Sequence, residues 1–265
     1  MALRAMHSAA TGMEAHQFKL DTIANNLANA STTAFKSSRA NFQDLFYHYD
    51  AVPGAQAGVG QSPVGVSVGL GTRIASTTLN FQQGTFLNTG GDFQFAIQGH
   101  GFFAVQDGDQ LSFTRDGNFT LNENGQLVLA AAGAGRLLDP PIQIPQDASN
   151  ISVTEDGFVN YIDAAGAPAE AGQLQLTRFP NQNGLLQLGN NLYQPTLASG
   201  DPIAGGIPGD DGVGIILHRQ LEVSNVEPVT ELVDLIKTQR NFELNSQTIQ
   251  AADQMLQLIS NLRRF

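Results

Sequence analysis

The chain has 265 residues, of which 42% are hydrophobic and 14% charged, with a formal net charge of -11 and no cysteine. That length holds one large or two modest domains. The acidity argues against nucleic acid or an anionic lipid surface as the main partner, since both need a basic face. The absence of cysteine excludes a disulfide framework and a thiolate metal centre.

The opening, Met1 to Leu20, has one early Arg but no continuous apolar segment, so it does not read as a cleaved secretory signal. The longest apolar run, Leu127 to Ala134, is too short and too rich in Gly and Ala to span a bilayer. Neither stretch supports membrane insertion.

Residues 1–30 read as a helix. Leu3, Met6, Ala10, Met13, Leu20, Ala24 and Leu27 recur on alternating three- and four-residue steps, and only Gln17 breaks the series. The alanines bury little area, so this stripe gains most of its stability by packing with other copies of the chain. Residues 31–72 form a connecting segment. Asn29, Ser31, Thr32 and Thr33 are turn and cap residues, and Phe35, Phe42, Leu45, Phe46 and Tyr47 are apolar anchors. From Ala51 to Gly71 the chain is rich in Gly, Pro, Val and Gln. It is either a flexible linker or, by the alternation of Val64, Val66, Val68 and Leu70, an extended hairpin ordered against a neighbour.

Between residues 73 and 220 the apolar period changes to two, as in Phe93, Phe95 and Ile97. Turn signals separate the short runs: Asp107-Gly108, Asp116-Gly117, Asn124-Gly125, Asp156-Gly157, Ala165-Gly166 and Asn183-Gly184. The pattern predicts a central antiparallel all-β domain. Residues 221–265 read as one long helix opened by Pro228, which suits a first helical turn. Leu232, Leu235, Phe242, Ile249, Leu256 and Ile259 make its stripe, interrupted at Gln239 and Ser246. At roughly 1.5 Å per residue such a helix outreaches a compact domain, and its stripe needs a partner. The N-terminal helix is the available one. The expected fold class is therefore α+β: long terminal helices paired as a coiled-coil-like bundle, with the β domain between them.

No enzyme constellation is legible. There is no phosphate-binding loop and no HExxH, and His7, His16, His48, His100 and His218 are dispersed. Gly99-His100-Gly101 reads as a tight turn with His100 exposed. Asp107-Gly108-Asp109 and Gly209-Asp210-Asp211-Gly212 lack the remaining ligands of a calcium loop. No catalytic, cofactor-binding or metal-binding residue is assigned, and the chain does not read as an enzyme.

The run LDTIANNLANASTTAFK, from Leu20 to Lys36, closely resembles the signature of the flagellar basal-body rod and hook family. Asn25, Asn26, Leu27, Asn29, Phe35 and Lys36 carry it; Ala30 and Ala34 stand where the family usually has Val and Gly. The run from Ser224 and Asn225 to Leu256 resembles the family's C-terminal motif, and AIQGHGFFAV, FTRDGNF and NGQLV resemble its middle. Arg39 to Tyr47, Pro53 to Gln56 and Leu188 to Tyr193 are most similar to the distal-rod branch. The resemblance implies a structural subunit that leaves the cytoplasm through the flagellar export apparatus without a cleaved signal. It implies a hollow helical polymer across the periplasm, carrying torque from motor to hook. Its implied partners are further copies of the chain, proximal rod proteins, the hook protein and the surrounding basal-body rings. Two other readings stay open: a proximal rod or hook-type subunit, and a secreted β-domain enzyme or glycan binder whose terminal helices only dimerise.

Overall fold

The computed structural model describes all residues except 1, 55, 58–59, 62–63, 109, 131–134, 211 and 263–265. The end of the apolar run (131–134), Asp109 and Asp211 thus lie outside the described residues. The α+β organisation expected from the sequence is the observed one: helix α1 spans Ala2–Ala28, helix α2 spans Pro228–Leu262, and every strand between them pairs antiparallel.

The chain forms two compact units. The first comprises Met1–Ala28, Ser38–Asn80 and Glu227–Phe265. It contains both helices and a two-stranded ribbon. The ribbon starts where Ser38–Asp44 pairs with Thr72–Leu79, continues where Tyr47–Ala51 pairs with Val66–Gly69, and ends where Gln56–Ala57 pairs with Gly60–Gln61. Register shifts at Asn41/Phe42 and Tyr49/Ala51 add local twist. The segment open to two readings from its sequence is thus strand-paired on both sides of its tip. Residues 73–79, counted with the β domain from their alternation, pair with this ribbon instead, because their partner strand begins at Ser38.

The second unit comprises Asn29–Ser37 and Phe81–Val226. Its main sheet has seven strands in the order Phe119–Leu121, Leu127–Leu129, Leu137–Asp139, Phe103–Asp107, Gln110–Thr114, Leu192–Gln194 and Leu186–Gly189. A three-stranded sheet is built from Ser149–Val153, Phe158–Ile162 and Pro168–Gln173. Because side chains alternate across a strand, adjacent phenylalanines enter different clusters. Phe103 joins the main core with Phe95, Phe119, Leu127, Leu129 and Ile144. It meets Phe119 edge-on at 5.4 Å between ring centroids. Phe102 instead packs against Phe81, Phe179 and Tyr193. Each fully buried ring or branched side chain contributes about 1.5–3 kcal/mol.

Candidate functional site

In the first unit α1 and α2 run antiparallel. Asn26, near the end of α1, donates from Nδ2 to Glu231 Oε1, near the start of α2, at 3.1 Å. Gly12, about four turns away on the same face, lies so close to mid-α2 that a methyl group there would stand 2.9 Å from Asn245 Nδ2. On α2 the less exposed positions include Glu231, Leu235, Thr238, Phe242, Asn245, Ile249, Ala252 and Leu256, an unbroken heptad seam, with Asp234 and Ser246 half-buried beside it. Thr238 and Ala252 are buried in it. The apparent interruptions at Gln239 and Ser246 arise because the seam passes one residue earlier, through Thr238 and Asn245.

On α1 the buried residues are Ala9, Ala15, Ile23 and Asn26. Of the stripe read from the sequence, Met6, Met13, Leu20 and Leu27 are half-buried, and Leu3, Ala10 and Ala24 are exposed. Packing selects a different face because α1 must also meet the ribbon. Ser8 Oγ donates to the Gly69 carbonyl at 3.4 Å, and Thr11 Oγ1 accepts the Thr72 N–H at 3.4 Å. Asn26 bonds to both neighbours: besides Glu231, its Nδ2 donates to the Ser38 carbonyl and its Oδ1 accepts the Ser38 N–H, both at 2.9 Å. Small residues toward α2 and short hydroxyls toward the ribbon therefore leave the larger apolar side chains at the margins. On α2, Val229, Leu232, Val233, Ile236, Leu258 and Ile259 remain exposed, so Leu232 and Ile259 stand outside the intramolecular seam.

The remaining motif residues lie in the second unit, where Asn29–Ser37 forms a strap. Lys36 is fully buried, and its Nζ donates to Glu222 Oε1 at 2.6 Å and to the Gln82 carbonyl at 2.8 Å. Glu222 Oε2 accepts Arg115 Nε at 3.0 Å, and Oε1 also accepts the Gly84 N–H at 3.1 Å. Arg115 spends its other donors on the carbonyls of Ile97, Gly99 and Gly101. Asn225 Oδ1 accepts the Ser37 N–H at 2.8 Å, and its N–H donates to the Phe35 carbonyl at 3.4 Å. Ser224 Oγ accepts the Val226 N–H at 3.3 Å, and Asn29 Oδ1 accepts Thr32 Oγ1–H at 3.1 Å. Burial alone opposes the charge on Glu222, but Arg115 and Lys36 outweigh it and hold its carboxyl below the ordinary range. Burial pushes the Lys36 ammonium down, and Glu222 only partly restores it.

Asp116 sits beneath the same strap. Its Oδ1 accepts the Asn118 N–H at 3.1 Å and Thr33 Oγ1–H at 3.4 Å, while Oδ2 is buried with no hydrogen-bond partner among the described residues. Burial pushes its carboxyl up to about 6, against the pull of those two bonds. Ala34, at the family's usual glycine position, adopts the left-handed φ of 54° and is buried, so it carries backbone strain.

Glu222, Arg115 and Asp116 were not legible as site residues. Glu222 carries one local signal, a charge between Leu221 and Val223 in a chain with few charges; Arg115 and Asp116, adjacent in a Thr-Arg-Asp-Gly turn, carry none. Charge is also uneven. The second unit holds fifteen acidic and five basic residues, a net of -10; the first holds nine and eight, a net of -1. Among the described residues no group of three or more His, Asp or Glu side chains is placed to hold a metal. None of the described helices is long and apolar enough to cross a membrane.

Three family models match. "Flagella basal body rod protein" covers residues 6–36, "Flagellar hook protein FlgE/F/G D1 domain" covers 96–161, and "Flagellar basal body rod FlgEFG protein C-terminal" covers 219–262. The chain is 41% identical to the flagellar basal-body rod protein FlgG of Borreliella burgdorferi, covering 99% of each. It is 40% identical to FlgG of Caulobacter vibrioides, covering 98% of this chain and all of that one. It is 37% identical to FlgG of Bacillus subtilis, covering 99% and 100%. The first and last models fall on α1 with its strap and on α2, and the middle one falls on the core strands that Arg115 ties together. The chain belongs to the flagellar basal-body rod and hook family.

Proposed function

We propose that the chain is a structural subunit of the distal rod, assembling into a hollow helical shaft that carries torque from motor to hook. The observation that carries this reading is the helix pair: its seam is satisfied within one molecule, yet Leu3 on α1 and Leu232, Ile236, Leu258 and Ile259 on α2 stay exposed beside it. Repeated apolar contacts between unlike faces generate open helical assemblies when the rotation between copies does not close a ring. The two stripes read from the sequence therefore divide. Leu235, Phe242, Ile249 and Leu256 hold the helix pair together. Leu3, Ala10, Ala24, Leu232 and Ile259 face other copies, with Met6, Met13, Leu20 and Leu27 along the margin.

In this reading the ribbon braces neighbouring subunits, since Phe46, Tyr47, Tyr49, Val52, Val64 and Val66 are exposed along it. The proximal rod proteins, the hook protein, the surrounding rings and the export apparatus are its further partners. The subunit works in the basal body across the periplasm, reaches it without a cleaved signal, and needs no catalytic chemistry or cofactor. Deleting residues 51–70 should leave the second unit folded and soften the assembled rod. Bending stiffness measured by electron microscopy tests this: a drop is expected, and an unchanged value removes the bracing role.

A further inference from the structure

The second unit carries a net charge of -10, so copies brought side by side through it repel one another. One part of its surface escapes this. From Phe179 to Gly200 there is no Asp, Glu, Lys or Arg, the longest such run in the unit. The structure folds this run into an open strand and a rigid turn. Leu186–Gly189 is the last strand of the seven-stranded sheet, all four residues are exposed, and among the described residues only Leu192–Gln194 pairs with it. Leu186 and Leu188 are both about half exposed, and a register shift between Gln187 and Gly189 leaves Leu188 out of the ladder with Leu192–Gln194.

The turn that follows presents Leu197 fully to solvent. It is not a loose loop. Thr196 N–H donates to Ser199 Oγ at 2.9 Å, and that hydroxyl donates back to the Thr196 carbonyl at 2.8 Å. Thr196 Oγ1 donates to the Gly184 carbonyl at 2.6 Å, and Asn181 Nδ2 donates to the Ala198 carbonyl at 2.9 Å. Ser199 is completely buried. Gly184 is packed so closely that a methyl group there would stand 2.5 Å from the Ala198 and Ser199 backbone. A leucine on a clamped turn has already lost the backbone freedom that binding would otherwise remove. The outer edge of the strand beside it, without a ladder partner among the described residues, offers main-chain hydrogen bonds as well.

We propose that the Leu186–Gly189 edge and the Leu197 crest form a contact surface for a second copy of this chain, the place where two acidic units meet without opposing charges. The proposal rests on the self-assembly reading and adds a contact that the helices do not supply. The full-length chain is assembled in solution with benzoylphenylalanine at position 197, and in a parallel sample at position 232 on the outer stripe of α2. Light should give chain-to-chain adducts from both positions in the polymer, and none from position 197 after dilution to monomer. Adducts from 232 without adducts from 197 would overturn the proposal while leaving helix-driven assembly intact. No polymer in either sample would overturn the assembly reading, and this proposal with it. As a second measure, Leu197→Asp should raise the concentration needed for assembly at least tenfold with unchanged thermal unfolding. Assembly at the parent concentration would contradict the inference.

Discussion

Lys36 Nζ and Glu222 Oε1 are 2.6 Å apart with neither side chain exposed, joining the strap that follows α1 in the chain to the strand Gln220–Glu222 that precedes α2 in the chain. Arg115 completes the cluster from a third direction, and Glu222 is the anion among these three side chains. Removing that anion leaves two buried cations facing each other. Glu222→Gln should therefore cost about 3–5 kcal/mol in urea unfolding of the whole chain. A loss below about 1 kcal/mol would show that the strap is held by its backbone bonds alone.

Asp116 predicts a pH effect of the opposite sign to Glu222. Its carboxyl is raised from 3.8 to about 6 in the folded chain, so its contribution to stability is full below 3.8 and is lost as pH rises through about 6. Glu222, whose carboxyl is lowered, contributes above its ordinary value of 4.5 and loses that contribution as pH falls. Asp116→Asn keeps the turn geometry and removes the titration. The variant should be more stable than the parent above pH 6, by at most about 3 kcal/mol, and the difference should close near pH 4. Parallel stability curves for the two proteins would contradict this assignment.

Two Asp-Gly turns predict different costs for the same substitution. Gly108 has a φ of +65° with nothing within 4 Å of the added methyl position, so Gly108→Ala should cost only left-handed strain, about 1–2 kcal/mol. Gly117 has no such φ, but a methyl there would lie 1.6 Å from the Phe95 carbonyl oxygen. Phe95 N–H also donates to the Gly117 carbonyl at 3.0 Å, so the backbones cannot separate without breaking that bond. Gly117→Ala should be the more damaging by at least about 2 kcal/mol. Equal melting temperatures for the two variants would rule out the close approach.

Those turns illustrate how far the sequence could be read. Helix α2 announced its start at Pro228 because proline acts locally, and the all-β character of the second unit followed from alternation and turn residues. Which face of α1 is buried did not follow. Apolar counting favours Met13 and Leu20, whereas the helix pair and ribbon select Ala9, Gly12, Ala15 and Ile23, whose small size or shape permits close approach. Likewise Thr72–Leu79 alternates like any core strand, and only its distant partner Ser38–Asp44 assigns it to the ribbon. Lys36 was found through the family motif. Its counterion Glu222, and Arg115, the second cation on that carboxylate, lie 186 and 79 residues further along the chain, beyond the reach of any local pattern.

Self-assembly through the outer face of α2 is most directly tested by electron microscopy of the purified chain, parent beside the double variant Leu232→Asp, Ile236→Asp. Neither residue lies in the intramolecular seam, so unfolding of the variant should match the parent. The parent should form helical tubes as concentration rises, and the variant should stay monomeric. Tubes from the variant, or a parent that remains monomeric at every concentration, would contradict the account.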